Sequence, residues 1–137
     1  VAEFITNNFM LVAIFLASGA MLIWPDLLRS GAGASGLGTL EATRLMNQGG
    51  TLVIDVRDAA EFAAGHLPRA RNIPLAELAS RTEEIAKFKE KNVLVTCGSG
   101  SRSASAVRLL RRAGFTAVHS LKGGIAAWQQ ASLPVER

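Results

Sequence analysis

The sequence predicts an α/β domain built on a central parallel sheet, preceded by one apolar transmembrane helix. Three observations carry this. Short β-branched runs alternate with amphipathic stretches over about a hundred residues, the pattern of strands joined by helical crossovers. The first 25 of the 137 residues contain 18 apolar side chains and a single charge, Glu3. The remainder holds all 15 Lys and Arg and all but one of the 11 Asp and Glu, so it alone carries a surplus of five positive charges. The apolar content, the absence of a glycine period and the single cysteine exclude a disordered chain, a collagen and a disulfide scaffold. The length suits one globular domain.

Residues 4–25 are predicted to be a membrane anchor. A helix rises about 1.5 Å per residue, so some 20 residues cross a hydrocarbon core of about 30 Å. Trp24 and Pro25 stand where an interfacial aromatic and a helix end are expected, while Thr6, Asn7 and Asn8 weaken the first turn. A secretory leader would carry a basic stretch and a small-residue cleavage site, and a buried core helix would show a polar face; neither is visible. The nearest cations, Arg29 and Arg44, follow the span, which places the body in the cytoplasm by the positive-inside bias. A working thiol survives best in such a reducing compartment. Residues 26–38 read as a linker, because Ser30–Gly38 is rich in glycine and small residues, with a reach of roughly 15–18 Å.

The body, residues 39–137, follows. Leu40–Gln48 reads as an amphipathic helix that Thr39 could cap, ended by Gly49-Gly50. Leu52-Val53-Ile54 reads as a buried strand ending at Asp55. Asp58-Ala59-Ala60-Glu61 has the form of a capping box that opens a short helix closed by Gly65. Asn72-Ile73-Pro74 is a brief extended piece, and Leu75–Phe88 reads as one helix with Leu75, Leu78, Ile85 and Phe88 apolar. Val93-Leu94-Val95 is a second strand, Ser103–Ala113 a helix, Thr116–Leu121 a third strand and Gly124–Gln130 a last helix.

Sites in parallel sheets form at the carboxyl ends of the strands, and Asp55 and Cys97 are the candidates there. Cys97-Gly98-Ser99-Gly100-Ser101-Arg102-Ser103 joins a strand to a helix. Glycines at 98 and 100 allow backbone N–H groups to turn inward as an anion nest, and the helix start adds unpaired N–H groups and the positive end of its dipole. A thiol at that mouth is expected to have its thiolate stabilised and its nucleophilic population raised. The alternative is an inert buried cysteine. The spacing of a nucleotide P-loop is missing.

These motifs taken together resemble the rhodanese family over the whole body. Ile54-Asp55-Val56-Arg57 is similar to its first signature. Gly65-His66-Leu67-Pro68-Arg69-Ala70 is similar to its second, with Arg69 where the family has glycine. Cys97 to Arg102 resembles its six-residue active loop, and Leu121-Lys122-Gly123-Gly124-Ile125-Ala126-Ala127-Trp128 its closing signature. An apolar span before one such domain also resembles the family's membrane-anchored members. The resemblance implies a three-layer fold and a sulfurtransferase in which Cys97 takes the outer sulfur of thiosulfate or a similar small anionic donor as a persulfide. Gly98, Ser99, Gly100, Ser101, Arg102 and Ser103 would bind that sulfur and its donor. A thiol, cyanide or a protein would accept the sulfur, with no cofactor or metal. Phosphatases on this fold have one more residue between Cys and Arg, so the shorter loop here favours sulfur. The Gly-Ser-Gly-Ser centre of the loop offers a dianionic donor no lysine, leaving the amides and Arg102 as its partners.

Asp55 could orient Arg102 or tune the loop, or be a turn carboxylate, and Arg57 has the same standing as a supporting residue. His66 is a conceivable general base but reads better as a structural turn residue, and His119 as strand surface. Trp128 reads as core. Arg108, Arg111 and Arg112 form a solvated face that could attract sulfur oxyanions or lipid headgroups. No residue cluster has metal-ligand spacing, and nothing beyond net charge favours nucleic acid. A non-catalytic adaptor bound to a membrane or protein partner is the rival reading.

Overall fold

Four short strands carry the body of the chain, and their order decides where its loops converge. A computed structural model describes the backbone of residues 1–31 and 36–137. Two compact units result, Val1–Ala34 and Ser35–Arg137.

In the first unit, α1 spans Ala2–Asn7 and α2 spans Phe9–Gly31. The expected single helix over 4–25 is therefore divided at Asn8. The Asn8 side-chain amide donates to the Phe4 carbonyl and the Thr6 hydroxyl to that of Ala2. Such polar side chains compete for backbone carbonyls and favour helix ends over helix interiors. The expected stop at Pro25 is also corrected, since α2 passes through Pro25 to Gly31. Side chains of α2 are described as far as Pro25. Among the described residues, no helix is both long and apolar enough to cross a membrane. Phe9, Met10, Leu11, Phe15, Leu22 and Trp24 are all exposed.

Most of the expected linker's glycine-rich centre, 32–35, lies outside the described residues. Its last part is not free chain: the Leu37 N–H donates to the Ser120 carbonyl and the Lys122 N–H to that of Leu37, and Leu37 packs on the core. The helix α3, Thr39–Asn47, begins one residue earlier than expected. Gly38 occupies its cap position, and the Thr39 side chain does not cap it.

The strands β1 (Leu52–Asp55), β2 (Arg71–Asn72), β3 (Asn92–Thr96) and β4 (Ala117–Ser120) form one parallel sheet in the order β2-β1-β3-β4. Between β1 and β2 lies α4 (Ala59–Ala64). Then come α5 (Leu75–Leu78), a 3₁₀ stretch (Thr82–Phe88), α6 (Ser101–Arg112) and α7 (Gly124–Gln130). The chain leaves β1 toward one edge and β3 toward the other, so the two central strands flank the switch point where crevices open in such sheets. Their ends are in register, Asp55 opposite Thr96.

Side chains alternate across the sheet because the strand period is two. Leu52, Ile54, Val93, Val95 and Val118 face one core with Leu78, Ile85, Ala106 and Leu110; Val53 and Leu94 face the other with Ala42, Met46, Ile125 and Trp128. Both faces are covered, which is why the strands read as unbroken apolar runs. Trp128 is core, and its indole N–H donates to the Pro134 carbonyl.

The expected helix over 75–88 is broken at Ala79–Arg81. Its apolar residues recur three apart, Leu75 to Leu78 and Ile85 to Phe88, which suits the eclipsed side chains of a 3₁₀ turn. The Ser80 hydroxyl also caps the Glu77 carbonyl.

Among the described residues, two other than glycine have positive φ, Arg69 and Ser132, and the first stands at a telling place. Leu67–Ala70 closes a tight turn, with the Ala70 N–H on the Leu67 carbonyl, Pro68 second and Arg69 third at φ +61°. A turn of this kind favours glycine in the third position. Arg69 is retained with its guanidinium on the Met46 carbonyl at 3.1 Å. Arg69→Ala is expected to be less stable than Arg69→Gly by about 1 kcal/mol, read from urea unfolding.

Candidate active site

The site grows from the carboxyl end of β3. Cys97 is fully buried directly after it, and only Cys97–Gly100 remains as loop, because α6 begins at Ser101, two residues before the expected start. Gly100 has φ +105°, which turns its N–H back onto the Cys97 Sγ at 3.0 Å. The Ser103 N–H, in the first turn of α6, donates to the same sulfur at 3.4 Å. The buried Ser103 hydroxyl ties the loop by donating to the Gly100 carbonyl at 2.9 Å. Ser99 and Ser101 stand exposed at the rim.

The first two carbonyls of the loop, those of Cys97 and Gly98, are held by α7. Its Ile125 N–H donates to the Cys97 carbonyl at 2.8 Å and its Ala126 N–H to the Gly98 carbonyl at 3.2 Å. First-turn N–H groups have no partner within their own helix, so the loop supplies one. The approach requires Gly124: a Cβ there would meet the Cys97 carbonyl oxygen and would lie 2.7 Å from the Gly98 oxygen.

Arg102 is not oriented by Asp55. Its Nη1 donates to Glu61 Oε2 at 3.1 Å and its Nη2 to Glu61 Oε1 at 3.3 Å. Glu61 Oε2 also accepts the Asp58 N–H at 3.0 Å, completing the expected capping box of α4. The Arg102 hydrogen bond, with help from the Asp58 N–H, holds the Glu61 carboxyl below its usual pKa, and the same Glu61 contact raises that of Arg102. The guanidinium lies against the loop, since a Cβ on Gly98 would stand 3.1 Å from Arg102 Nη2.

Asp55 and Arg57 instead form their own buried fork. Arg57 Nε and Nη2 donate to the Asp55 carboxylate at 2.8–3.0 Å, the Arg57 N–H donates to Asp55 Oδ1 at 2.9 Å, and Nη2 also reaches the Gly65 carbonyl at 2.6 Å. The fork thus fixes the end of α4, the helix from which Glu61 reaches Arg102. Glu61 is the residue that sequence reasoning missed in the site, having been assigned to its cap alone. His66 is occupied structurally, with Nδ1 2.9 Å from the Phe62 carbonyl and its ring stacked on Phe62 at 3.8 Å. His119 lies half-buried on β4, and burial, followed by the nearby Arg111, lowers its pKa. Arg108 and Arg112 are exposed, and Arg111 reaches the Val118 carbonyl. No cluster of metal-ligating side chains occurs among the described residues.

A model of the rhodanese-like domain family matches residues 39–131. The chain belongs to this family. Its rhodanese domain is 38% identical over 98 residues to the uncharacterized protein YibN of Escherichia coli K12, covering 71% of this chain and 68% of YibN. The thiosulfate sulfurtransferase GlpE of Pseudomonas putida is 36% identical over 101 residues, covering 70% of this chain and 84% of GlpE. Among solved structures, the human single-domain sulfurtransferase TSTD1 superposes with a TM-score of 0.62 at 29% identity, over 72% of this chain and 97% of that one. The rhodanese fold with its central parallel sheet, and sulfurtransferase relatives, are thus established for the body.

Proposed function

We propose that this chain is a sulfurtransferase that carries sulfur as a persulfide on Cys97. The observation that carries the reading is the pair of backbone N–H groups, from Gly100 and Ser103, aimed at the Cys97 sulfur where β3 meets α6. Preorganised donors of this kind stabilise charge at a reacting atom without reorganising. The sulfurtransferase relatives support the same chemistry, and the name of GlpE supports thiosulfate as a donor.

As the thiolate, Cys97 attacks the outer sulfur of thiosulfate. A new S–S bond forms to Cys97 as the donor's S–S bond breaks, and its electron pair leaves with sulfite. The terminal sulfur of the persulfide carries the negative charge, and the loop amides hold it. A thiol, cyanide or a protein thiolate then attacks that sulfur, and the electron pair of the breaking bond returns to Cys97. No cofactor enters this cycle. Incubation with thiosulfate, followed by intact mass, is expected to show the gain of one sulfur atom on the native chain and none on Cys97→Ser. Absence of the adduct with every sulfane donor tried overturns the reading in favour of a non-catalytic adaptor.

No described helix is long and apolar enough to cross a membrane, but the exposed apolar side chains of α2 support attachment to one, since contiguous apolar surface of this extent is rare in water. Arg29 and Arg44, which follow the apolar stretch, support a cytoplasmic body by the positive-inside bias. The full chain is expected to stay with membranes after an alkaline carbonate wash, and protease is expected to reach the body in inverted vesicles. Release by the wash refutes the anchor, and protection of the body in inverted vesicles refutes the orientation.

A further inference from the structure

The active loop contains one charged side chain, Arg102, and the structure pairs it with a carboxylate. Glu61 accepts from both of its terminal nitrogens, at 3.1 Å and 3.3 Å. Arg57, the other cation whose field reaches Glu61, is already forked by Asp55 and bound to the Gly65 carbonyl. A donor entering this mouth therefore meets backbone N–H groups but little net positive charge.

We propose that Glu61 is a specificity-determining residue. By neutralising Arg102 beside the loop, it turns the site away from dianionic thiosulfate and toward sulfane donors carrying one negative charge or none. The proposal rests on the sulfurtransferase reading and names the donor class of that same site. Coulomb attraction scales with the charge of the donor, so a cation left free at the mouth favours a dianion over a monoanion, and a paired one does not. The two reactive groups need not be touched to test this. Glutamine serves the capping box as well as glutamate does, so Glu61→Gln keeps an oxygen for the Asp58 N–H while it removes the charge and leaves Arg102 Nη2 without its acceptor.

The experiment measures Cys97-dependent turnover with thiosulfate, a dianion, and benzenethiosulfonate, a monoanion with the same kind of sulfane sulfur. In Glu61→Gln the ratio of kcat/KM for thiosulfate to that for benzenethiosulfonate is expected to rise on the order of tenfold, mainly through KM. The gain is expected to shrink as salt screens it, whereas the native chain's ratio should depend little on salt. A ratio unchanged by the substitution, or an equal fall for both donors, is what a purely structural Glu61 would produce, and overturns the proposal while leaving the sulfurtransferase reading intact. Failure of the native chain to take sulfur from either donor overturns both.

Discussion

Asp55→Ala is expected to lower the stability of the domain by about 3–5 kcal/mol, the range for removing one partner of a buried ion pair. Asp55 is fully buried and Arg57 is 6% exposed. Removal of the carboxylate strands a guanidinium that donates twice to it through Nε and again through Nη2. The Arg57 N–H loses its acceptor as well. Only the Gly65 carbonyl remains for Arg57, and an arginine cannot shed its charge to relieve burial. Urea unfolding checks the value. A double substitution, Asp55→Leu with Arg57→Met, removes both charges and is expected to cost clearly less than the sum of the single changes. A loss below about 1 kcal/mol in Asp55→Ala would mean that water reaches Arg57 and that the fork does not fix α4. A functional consequence follows from the chain of contacts. The fork holds the end of α4, α4 carries Glu61, and Glu61 holds Arg102, so the single change should also loosen the ion pair at the loop.

The parts of this domain that were legible in its sequence are those whose pattern is local. β1 and β3 are buried on both faces, so each is a short β-branched run, and both were placed within a residue. The capping box at Asp58 and the helix Gly124–Gln130 announce themselves by residue type at fixed spacing. The loop at Cys97 was legible because glycine at 98 and 100 before a helix start has few other uses. What was not legible is what joins residues far apart in the chain. Glu61 and Arg102 are 41 residues apart, and nothing near either names the other. The cap gave Glu61 a complete local explanation, which hid its second partner. Asp55 was placed correctly at its strand end with two roles left open, and the turn carboxylate is the one the structure holds, because Arg57 two residues on folds back onto it. The helix expected over 75–88 failed for another reason. Apolar spacing of three is shared by α and 3₁₀ turns, so the pattern alone does not separate them.

Gly124→Ala is expected to destabilise the domain by about 2–4 kcal/mol and to disable the loop. The residue has φ +60°, so alanine carries the ordinary left-handed penalty. The larger part is steric. The added Cβ meets the Cys97 carbonyl oxygen and stands 2.7 Å and 2.8 Å from the oxygen and carbon of Gly98. All of these are backbone atoms, which no side-chain rotation can move aside. Relief requires α7 to withdraw from the loop, and the N–H groups of Ile125 and Ala126 then lose the carbonyls of Cys97 and Gly98. Those two bonds hold the Cys97–Gly98 and Gly98–Ser99 peptides, the stretch of backbone that leads to the Gly100 N–H, so the amide aimed at the sulfur should shift with them. Gly49→Ala separates the two contributions. Gly49 has φ +75°, but nothing lies within 4 Å of an added Cβ, so it should cost only about 1 kcal/mol and leave sulfur uptake intact. Equal costs for the two substitutions, or full persulfide formation in Gly124→Ala, would show that α7 does not shape the loop. A greater cost joined to lost uptake would mean that the closing Gly-Gly signature acts on the chemistry through two carbonyl oxygens, without touching the donor.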